Sequence, residues 1–243
     1  GVAFSRNLYA WSDRIDPNQG VIRLVFGLGT RAVDRVGRDY PRMVAVSQPT
    51  LRPETGRRIS RYSQWDVDVL DLASNAYRSM PVRDLLADRD YPELHLLVSL
   101  NREGEVMDPV FKRLEATDEP MVLTFNRLIQ RTDFVEVVAE MTRQLENIYG
   151  HPVDVEFTAF VEPDEGIRVN LLQCRPLMLP GATGGVAIPE DLPPQRVLFR
   201  SSRCMTGGVL RDIRYVLYID PRRYKAIDDI QVRRSLGRLV GRI

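Results

Sequence analysis

Residues 153–161 alternate between apolar and polar side chains, with the two-residue period of a half-buried β-strand. One face of this strand would carry the apolar side chains, which are Val153, Val155, Phe157 and Ala159. The other face would carry the polar ones, which are Asp154, Glu156 and Thr158. The polar residues 163–166 have the chemistry of a turn, and a second apolar-rich stretch runs from residue 167 to about 174. The pattern therefore predicts a β-hairpin.

The loop length decides which residues of this hairpin lie opposite each other. A four-residue loop closed by Glu162 and Ile167 gives two polar pairs, which are Glu156 with Gln173 and Asp154 with Arg175. Side chains directly opposite each other have Cβ atoms about 4.5–5.5 Å apart. One face of the hairpin is therefore expected to carry two acids, an amide and a guanidinium.

This polar group of residues suits a magnesium–phosphate site. Mg²⁺ is usually held by one or two protein oxygens together with substrate phosphates, and an arginine can bind a phosphate through two hydrogen bonds. Glu156 and Gln173 are therefore predicted as metal ligands, and Arg175 as a phosphate contact. The alternative is a half-exposed hairpin with a polar outer face, and a single bulge would move Gln173 to the opposite face.

The longest helical pattern lies over residues 134–149. Apolar residues recur there at the spacing of one helix face, namely Phe134, Val137, Val138, Met141, Leu145 and Ile148. Thr132 or Asp133 can cap the start, and Gly150 followed by Pro152 ends the helix. This helix is expected to pack on the sheet that contains the hairpin.

Weaker patterns predict further elements between the chain start and this helix. Strands are expected over residues 2–5, 21–26 and 43–48, with one more inside 59–71. A short helix near residues 78–90 would have Pro81 in its first turn, with inward-facing Val82, Leu85 and Leu86. A second hairpin would pair residues 94–100 with 105–107, and His95 inside its first strand is interpreted as a structural residue.

The segment Gly27-Leu28-Gly29 follows one of these strands and leads into a predicted helix start. Such a turn brings backbone N–H groups close to a bound anion. The third glycine of a dinucleotide fingerprint is missing, so a dinucleotide site is not indicated. Gly27 and Gly29 are candidate nucleotide contacts, and so is Arg6 at the end of the first strand. A solvated strand end remains the alternative for Arg6.

Four segments, in the same order along the chain, resemble the nucleotide-binding domain of the pyruvate phosphate dikinase and phosphoenolpyruvate synthase family. The closing hairpin of that domain has the pattern D-[IV]-E-[FW] followed by L-Q-x-R, which is similar to DVEFT at 154–158 and LLQCRP at 171–176. The other three segments are GVAFSRN at 1–7, FGLG at 26–29 and ENIY at 146–149. The resemblance covers about residues 1–180, with a poorly matching middle.

The resemblance implies an α+β fold: an ATP-grasp-like, mostly antiparallel sheet with packed helices. It implies ATP and Mg²⁺ as cofactors, with Glu156 and Gln173 on the metal and Asp154 supporting the metal or nucleotide. Arg175 would then be a catalytic phosphate contact. The implied partners are a phosphohistidine domain and a pyruvate-binding domain elsewhere in a parent protein. The phosphate-binding Lys and Arg of the family would lie upstream of residue 1, so the chain corresponds to the C-terminal half of the domain and is expected to be inactive alone.

One departure from the family pattern supports a second hypothesis. Related dikinases often carry an acidic residue directly after the glycine turn, where this chain has Thr30-Arg31. An arginine can stabilise phosphate charge but cannot replace an acid as a metal ligand or base. A non-catalytic nucleotide-sensing or interaction module that keeps the fold is therefore the alternative to an enzyme.

The predicted domain organisation has three parts. Residues 1–178 form the nucleotide-binding part, with a possible insertion at about 78–131, and residues 179–195 form a Pro/Gly-rich linker. Residues 196–243 are expected to form a small C-terminal β/α appendage, with strands at 197–200 and 213–219, a Gly207-Gly208 turn and a helix at 221–230. This appendage contains no histidine, so it cannot carry a phosphoryl group on one.

Composition narrows the functional classes. The hydrophobic fraction of 44% is ordinary for a globular protein. The formal net charge is +1, so no strong electrostatic attraction to nucleic acid or to a membrane is indicated. Two cysteines give no disulfide framework. No signal peptide and no run of about 18 apolar residues is present, and a cytoplasmic protein is expected.

Overall fold

Strands dominate the first of two units into which the chain divides, Gly1–Gly208 and Val209–Ile243. The structure is a computed structural model that describes residues 1–34, 36–110, 112, 114, 119–162, 166–177, 191–197 and 213–242. The strands are β1 (Val2–Phe4), β2 (Val21–Leu24), β3 (Arg42–Ala45), β4 (Asp66–Asp71), β5 (Ala76–Pro81), β6 (Val98–Arg102), β7 (Glu105–Met107), β8 (Met121–Leu123), β9 (Val153–Glu162) and β10 (Gly166–Pro176). The α-helices are α1 (Arg58–Arg61), α2 (Val82–Leu85), α3 (Leu94–Leu97), α4 (Asn126–Arg131), α5 (Phe134–Tyr149), α6 (Pro221–Lys225) and α7 (Ile230–Val240).

All strand pairs among the described residues are antiparallel. The largest sheet has five strands in the order β10-β9-β1-β2-β3, so the predicted hairpin forms one edge and the first strand lies at the centre. A two-stranded sheet, β4-β5, and a three-stranded sheet, β7-β6-β8, lie between β3 and α5 along the sequence. The predicted α+β class with a mostly antiparallel sheet is confirmed.

Helix α5 begins and ends where the sequence predicts. The Thr132 hydroxyl accepts a hydrogen bond from the Phe134 N–H, and Gly150 has a φ of +72° while its N–H donates to the Glu146 carbonyl. This left-handed conformation suits glycine, which has no Cβ. Ile148, expected on the buried stripe, is 78% exposed, so the buried face ends one turn before the helix does.

One face of the five-stranded sheet packs against α5. Ala3 pairs with both Ile22 and Val155, and all three side chains are buried on this face. The rings of Phe134 and Phe157, one from the helix and one from β9, have centroids 6.2 Å apart. Because side chains alternate along a strand, the helix-packed face leaves the polar residues of β9 on the opposite face.

The middle of the chain contributes to the same hydrophobic core. Leu94, Leu123 and Leu128 are buried in one cluster with Ala3 and Ile22 of the large sheet. The weakly patterned stretch after residue 107 thus holds β8 and α4, which the sequence did not predict. A short segment of three to six residues gives too few periodic positions to be recognised.

Two local predictions in this region are wrong. Leu85, expected to face inward, is 37% exposed, whereas Val82 and Leu86 are buried. His95 lies in the helical turn α3 and not in a strand, because β6 begins only at Val98. The interpretation of His95 as a structural residue agrees with its burial, since only 6% of the residue is exposed.

The burial of His95 predicts a pH-dependent stability. Burial lowers the pKa of His95 below its ordinary value, although Glu93, whose Oε2 lies 3.5 Å from Nδ1, opposes this shift. As the pH falls below about 6.5, the unfolded chain takes up this proton first. The contribution of His95 is therefore present above that pH and is lost on acidification. His95→Gln should flatten the decrease in the free energy of unfolding between about pH 7.5 and 5.5, measured by urea denaturation; identical slopes for both proteins would contradict this.

The described part of the second unit is helical. Asp220 caps α6 by accepting from the N–H groups of Arg222 and Arg223, and Asp229 caps α7 by accepting from that of Gln231. The strand predicted over residues 213–219 is wrong, because these residues lie outside any helix or strand. The single helix predicted at 221–230 is instead two helices.

The other predictions for the C-terminal part fall mostly outside the described residues. These are residues 179–190 of the linker predicted at 179–195, most of the strand at 197–200 and the Gly207-Gly208 turn. Among the residues that are described, no helix combines the length and apolar character needed to cross a membrane.

Candidate functional site

The polar face of the β9–β10 hairpin brings together four of the predicted site residues. Glu156 pairs directly with Gln173, and Asp154 pairs directly with Arg175. These are the two cross-strand pairs expected from the sequence. We refer to these four residues as the hairpin cluster.

The loop length and the strand register that produce these pairs differ from those predicted. Glu162 pairs with Gly166 and not with Ile167, so only residues 163–165 connect the strands. If that register continued without a bulge, Gln173 would lie opposite Val155 and thus on the helix-packed face. A bulge between Leu171 and Gln173 takes up one residue and restores the Glu156–Gln173 pair.

Electrostatic contacts hold the hairpin cluster in place. Nε of Arg175 donates to Oδ2 of Asp154 at 2.8 Å, and this hydrogen bond is the main cause of a raised pKa of Arg175. Nη2 of Arg175 lies 3.7 Å from Oε1 of Glu156. Asp154 is 8% exposed, whereas the Arg175 side chain is 46% exposed. Arg175 is therefore anchored by a buried acid while part of its guanidinium faces solvent.

The cluster has the donor set for Mg²⁺. Glu156 offers a carboxylate and Gln173 an amide oxygen, both hard oxygen ligands. Oδ1 of Asp154 is buried and accepts no hydrogen bond within the described residues, so a further donor or cation is expected beside it. Among the residues that the structure describes, no group of three or more His, Cys, Asp or Glu side chains is placed to hold a metal ion.

Arg6, predicted as a nucleotide contact, lies outside the hairpin cluster. Its guanidinium forms an ion pair with Glu146 of α5 and donates to the Ser5 carbonyl at 2.8 Å. Both residues line a cavity of about 560 Å³ on the helix-packed side of the sheet. The sequence gives no signal for this pair, because its members are 140 residues apart.

Gly27 and Gly29 have φ angles of +87° and +83°, and both lie against the β4–β5 hairpin. A Cβ at Gly27 would come within 2.7 Å of the Asp68 carbonyl oxygen, and one at Gly29 within 2.7 Å of the Tyr77 hydroxyl. Close packing of two chain segments therefore accounts for both glycines. The helix predicted after them is not formed, since residues 30–34 make only a turn.

Arg31, the residue at the departure from the family pattern, is buried in an ion-pair cluster. Its Nε donates to Asp68 Oδ2 at 2.8 Å, and the guanidinium also contacts Asp39 and Ser79. Only 6% of Arg31 is exposed. The guanidinium is thus committed to holding the glycine turn against β4 and β5.

Sequence reasoning missed one charged residue on the polar face of the sheet, Arg23 of β2. Arg23 pairs with Val2, and Val2 pairs with Glu156, so the three side chains lie in one row across the sheet. The available signal was a single charge within the otherwise apolar segment Val21–Leu24.

The hairpin cluster combines two acids, an amide and a guanidinium, which are groups able to bind a metal ion or phosphate. In a comparison with known families, the model of the pyruvate phosphate dikinase AMP/ATP-binding domain matches residues 1–194. The chain belongs to this family. No curated protein and no solved structure matches the chain. The mixed α+β architecture is consistent with an ATP-grasp-like nucleotide-binding domain, and binding of ATP or AMP follows from the family.

Proposed function

We propose that this chain is the ATP- and Mg²⁺-binding portion of a dikinase-like phosphotransferase that phosphorylates pyruvate. In this proposal it is the C-terminal half of an ATP-grasp-like domain. The phosphoryl group passes through a histidine carried elsewhere in the parent protein, which also supplies the pyruvate-binding domain. The observation that carries the proposal is the pairing of Glu156 with Gln173 beside the Asp154–Arg175 pair.

Each member of the hairpin cluster has a distinct part in this function. Glu156 and Gln173 present two oxygens from adjacent strands, and a bound Mg²⁺ would neutralise phosphate charge as it is transferred. Asp154 orients Arg175 through the 2.8 Å hydrogen bond. Arg175 then donates to phosphate oxygens, and its fixed guanidinium favours the charge distribution of the transition state.

Fixed strand positions support this assignment. Catalysis of phosphoryl transfer depends mainly on positioning and charge stabilisation, so the site must hold its groups before the nucleotide arrives. Neighbouring strands in a hydrogen-bonded ladder provide such positions, and α5 covers the other face of the same sheet. The side chains of Glu156 and Arg175 remain partly exposed and thus accessible to a nucleotide.

A second candidate function is a non-catalytic nucleotide-sensing module that keeps the fold. It is favoured by Thr30-Arg31, because Arg31 is buried between Asp39 and Asp68 and supplies neither a metal ligand nor a base. In this alternative the hairpin cluster binds Mg²⁺ and nucleotide without turnover.

Product analysis with the full-length protein separates the two functions. The protein is incubated with Mg²⁺, ATP and pyruvate, both with and without inorganic phosphate, because either water or phosphate must accept the second phosphoryl group that ATP loses when AMP forms. Pyruvate is omitted in a control. Pyruvate-dependent formation of AMP and phosphoenolpyruvate is expected, together with an acid-labile phosphoryl-enzyme. Saturable Mg·ATP binding with neither product would support the sensing module instead. Absence of both binding and turnover would contradict both functions.

A further inference from the structure

Arg23 is a partly exposed cation in an interior strand, and the described part of the chain offers it no partner. Its neighbours Val21, Ile22 and Leu24 are each at most 5% exposed. Within the described residues Arg23 forms no ion pair, and its Nε is buried without a hydrogen-bond acceptor. Burying a polar or charged group without a partner is costly, so such groups are normally paired.

Arg23 lies on the polar face that carries the hairpin cluster. The row across the sheet runs from Arg23 to Val2, then to Glu156 and Gln173. Adjacent strands are about 4.8 Å apart, so the backbones of Arg23 and Glu156 are about 10 Å apart. The side chain between them, Val2, is small and apolar and offers neither residue a polar contact.

The charges on this face are unevenly paired. Arg175 contacts both acids, with a 2.8 Å hydrogen bond to Asp154 and a 3.7 Å approach to Glu156. The two carboxylates therefore share one guanidinium, and the charge of Arg23 is left without an acid. If Glu156 also binds a metal ion, no carboxylate of the cluster remains for Arg23. An anionic ligand beside Arg23 would supply the missing partner.

We propose that Arg23 binds a phosphate group of the nucleotide, on the opposite side of Glu156 from Arg175. In the order of the strands, Glu156 then lies between the two guanidiniums, with Gln173 beside it. Arg23 has suitable chemistry, since a guanidinium binds phosphate oxygens through paired hydrogen bonds. This inference rests on the proposed function, because it takes the ligand to be the metal-bound nucleotide.

The test measures Mg·ATP binding to the full-length protein by calorimetry. Arg23→Gln should weaken binding about 10- to 100-fold, as loss of a hydrogen bond to a charged group predicts, and Arg23→Lys should recover part of the affinity. Arg83→Gln is the matched control, because the Arg83 side chain is 86% exposed and lies far along the chain in α2. This variant should bind Mg·ATP as tightly as the unsubstituted full-length protein. Glu156→Gln tests the proposed function separately.

A melting curve without nucleotide distinguishes a ligand contact from a structural role. Since Arg23 has no protein partner among the described residues, the Tm of Arg23→Gln and of Arg23→Lys should be no lower than that of the unsubstituted protein. The rise in Tm caused by Mg·ATP should be smaller in both variants. Unchanged Mg·ATP affinity in Arg23→Gln, with weakened binding in Glu156→Gln, would overturn this inference alone. A lower Tm in both Arg23 variants with the rise on Mg·ATP intact would also overturn it. If the unsubstituted full-length protein does not bind Mg·ATP, the proposed function is overturned as well.

Discussion

Glu156→Ala should reduce ATP-dependent turnover by the full-length protein by at least about 100-fold. The change removes a carboxylate that faces Gln173 directly and lies 3.7 Å from Arg175. Loss of one preorganised group that stabilises developing charge typically costs about 10²- to 10³-fold in rate. The rate of AMP formation at saturating ATP, measured over a range of Mg²⁺ concentrations, gives the size of the effect. The Mg²⁺ concentration needed for half-maximal rate should rise as well.

Gln173→Ala should give a smaller loss, about 10- to 100-fold, because a neutral amide oxygen is a weaker ligand than a carboxylate. Glu105→Ala and Gln130→Ala are matched controls, since both side chains are exposed and lie on β7 and α4. If both control variants keep the rate and the Mg²⁺ dependence of the unsubstituted protein, the loss of turnover is specific to the hairpin cluster. Full activity in Glu156→Ala would contradict the proposed metal ligands.

Arg31→Met should lower the free energy of unfolding by about 3–5 kcal/mol, the usual cost of breaking a buried ion pair by removing one partner. Asp39 and Asp68 are 4% and 7% exposed, and the variant would leave both without the guanidinium that now contacts them. Urea denaturation at neutral pH measures the loss. Arg83→Met is the control, since an exposed pair such as Arg83–Asp84 contributes little.

The pH dependence of this loss provides a second measurement. The hydrogen bond from Arg31 lowers the pKa of Asp68, so its stabilising contribution is present above about pH 4 and is lost as the pH falls below that. In Arg31→Met the buried Asp68 carboxylate should instead bind a proton more readily than in the unfolded chain. The difference in stability between parent and variant should therefore shrink as the pH is lowered from about 7 to 4. Equal free energies of unfolding of the two proteins at pH 7 would contradict the stabilising role of the Arg31 ion pairs.

The hairpin and the long helix could be predicted because their signals are local and repeated. The alternation at residues 153–157 and the helical spacing from Phe134 to Leu145 each identify one buried face. The cross-strand pairs of the hairpin cluster were also predicted, yet two errors cancelled. The predicted loop is one residue too long, and the bulge between Leu171 and Gln173, which the sequence does not predict, restores the expected pairing.

Contacts between distant segments could not be predicted. The partner of Arg6 is Glu146, and one of the two acids paired with Arg31 is Asp68, 37 residues away. In each case a sequence motif indicated a charged residue near a turn, but the acid that neutralises it depends on the packing of another element. Arg23 was missed for a related reason, because its row with Glu156 exists only once β1 has paired with both β2 and β9.

The central claim is that Glu156 and Gln173 together hold the metal ion of a bound nucleotide. A crystal structure of the full-length protein with Mg²⁺ and a non-hydrolysable ATP analogue tests it most directly. The metal should lie about 2.1 Å from a carboxylate oxygen of Glu156 and from the amide oxygen of Gln173, with phosphate oxygens completing the octahedron. A nucleotide whose metal is held by other residues, with the hairpin cluster untouched, would contradict the account.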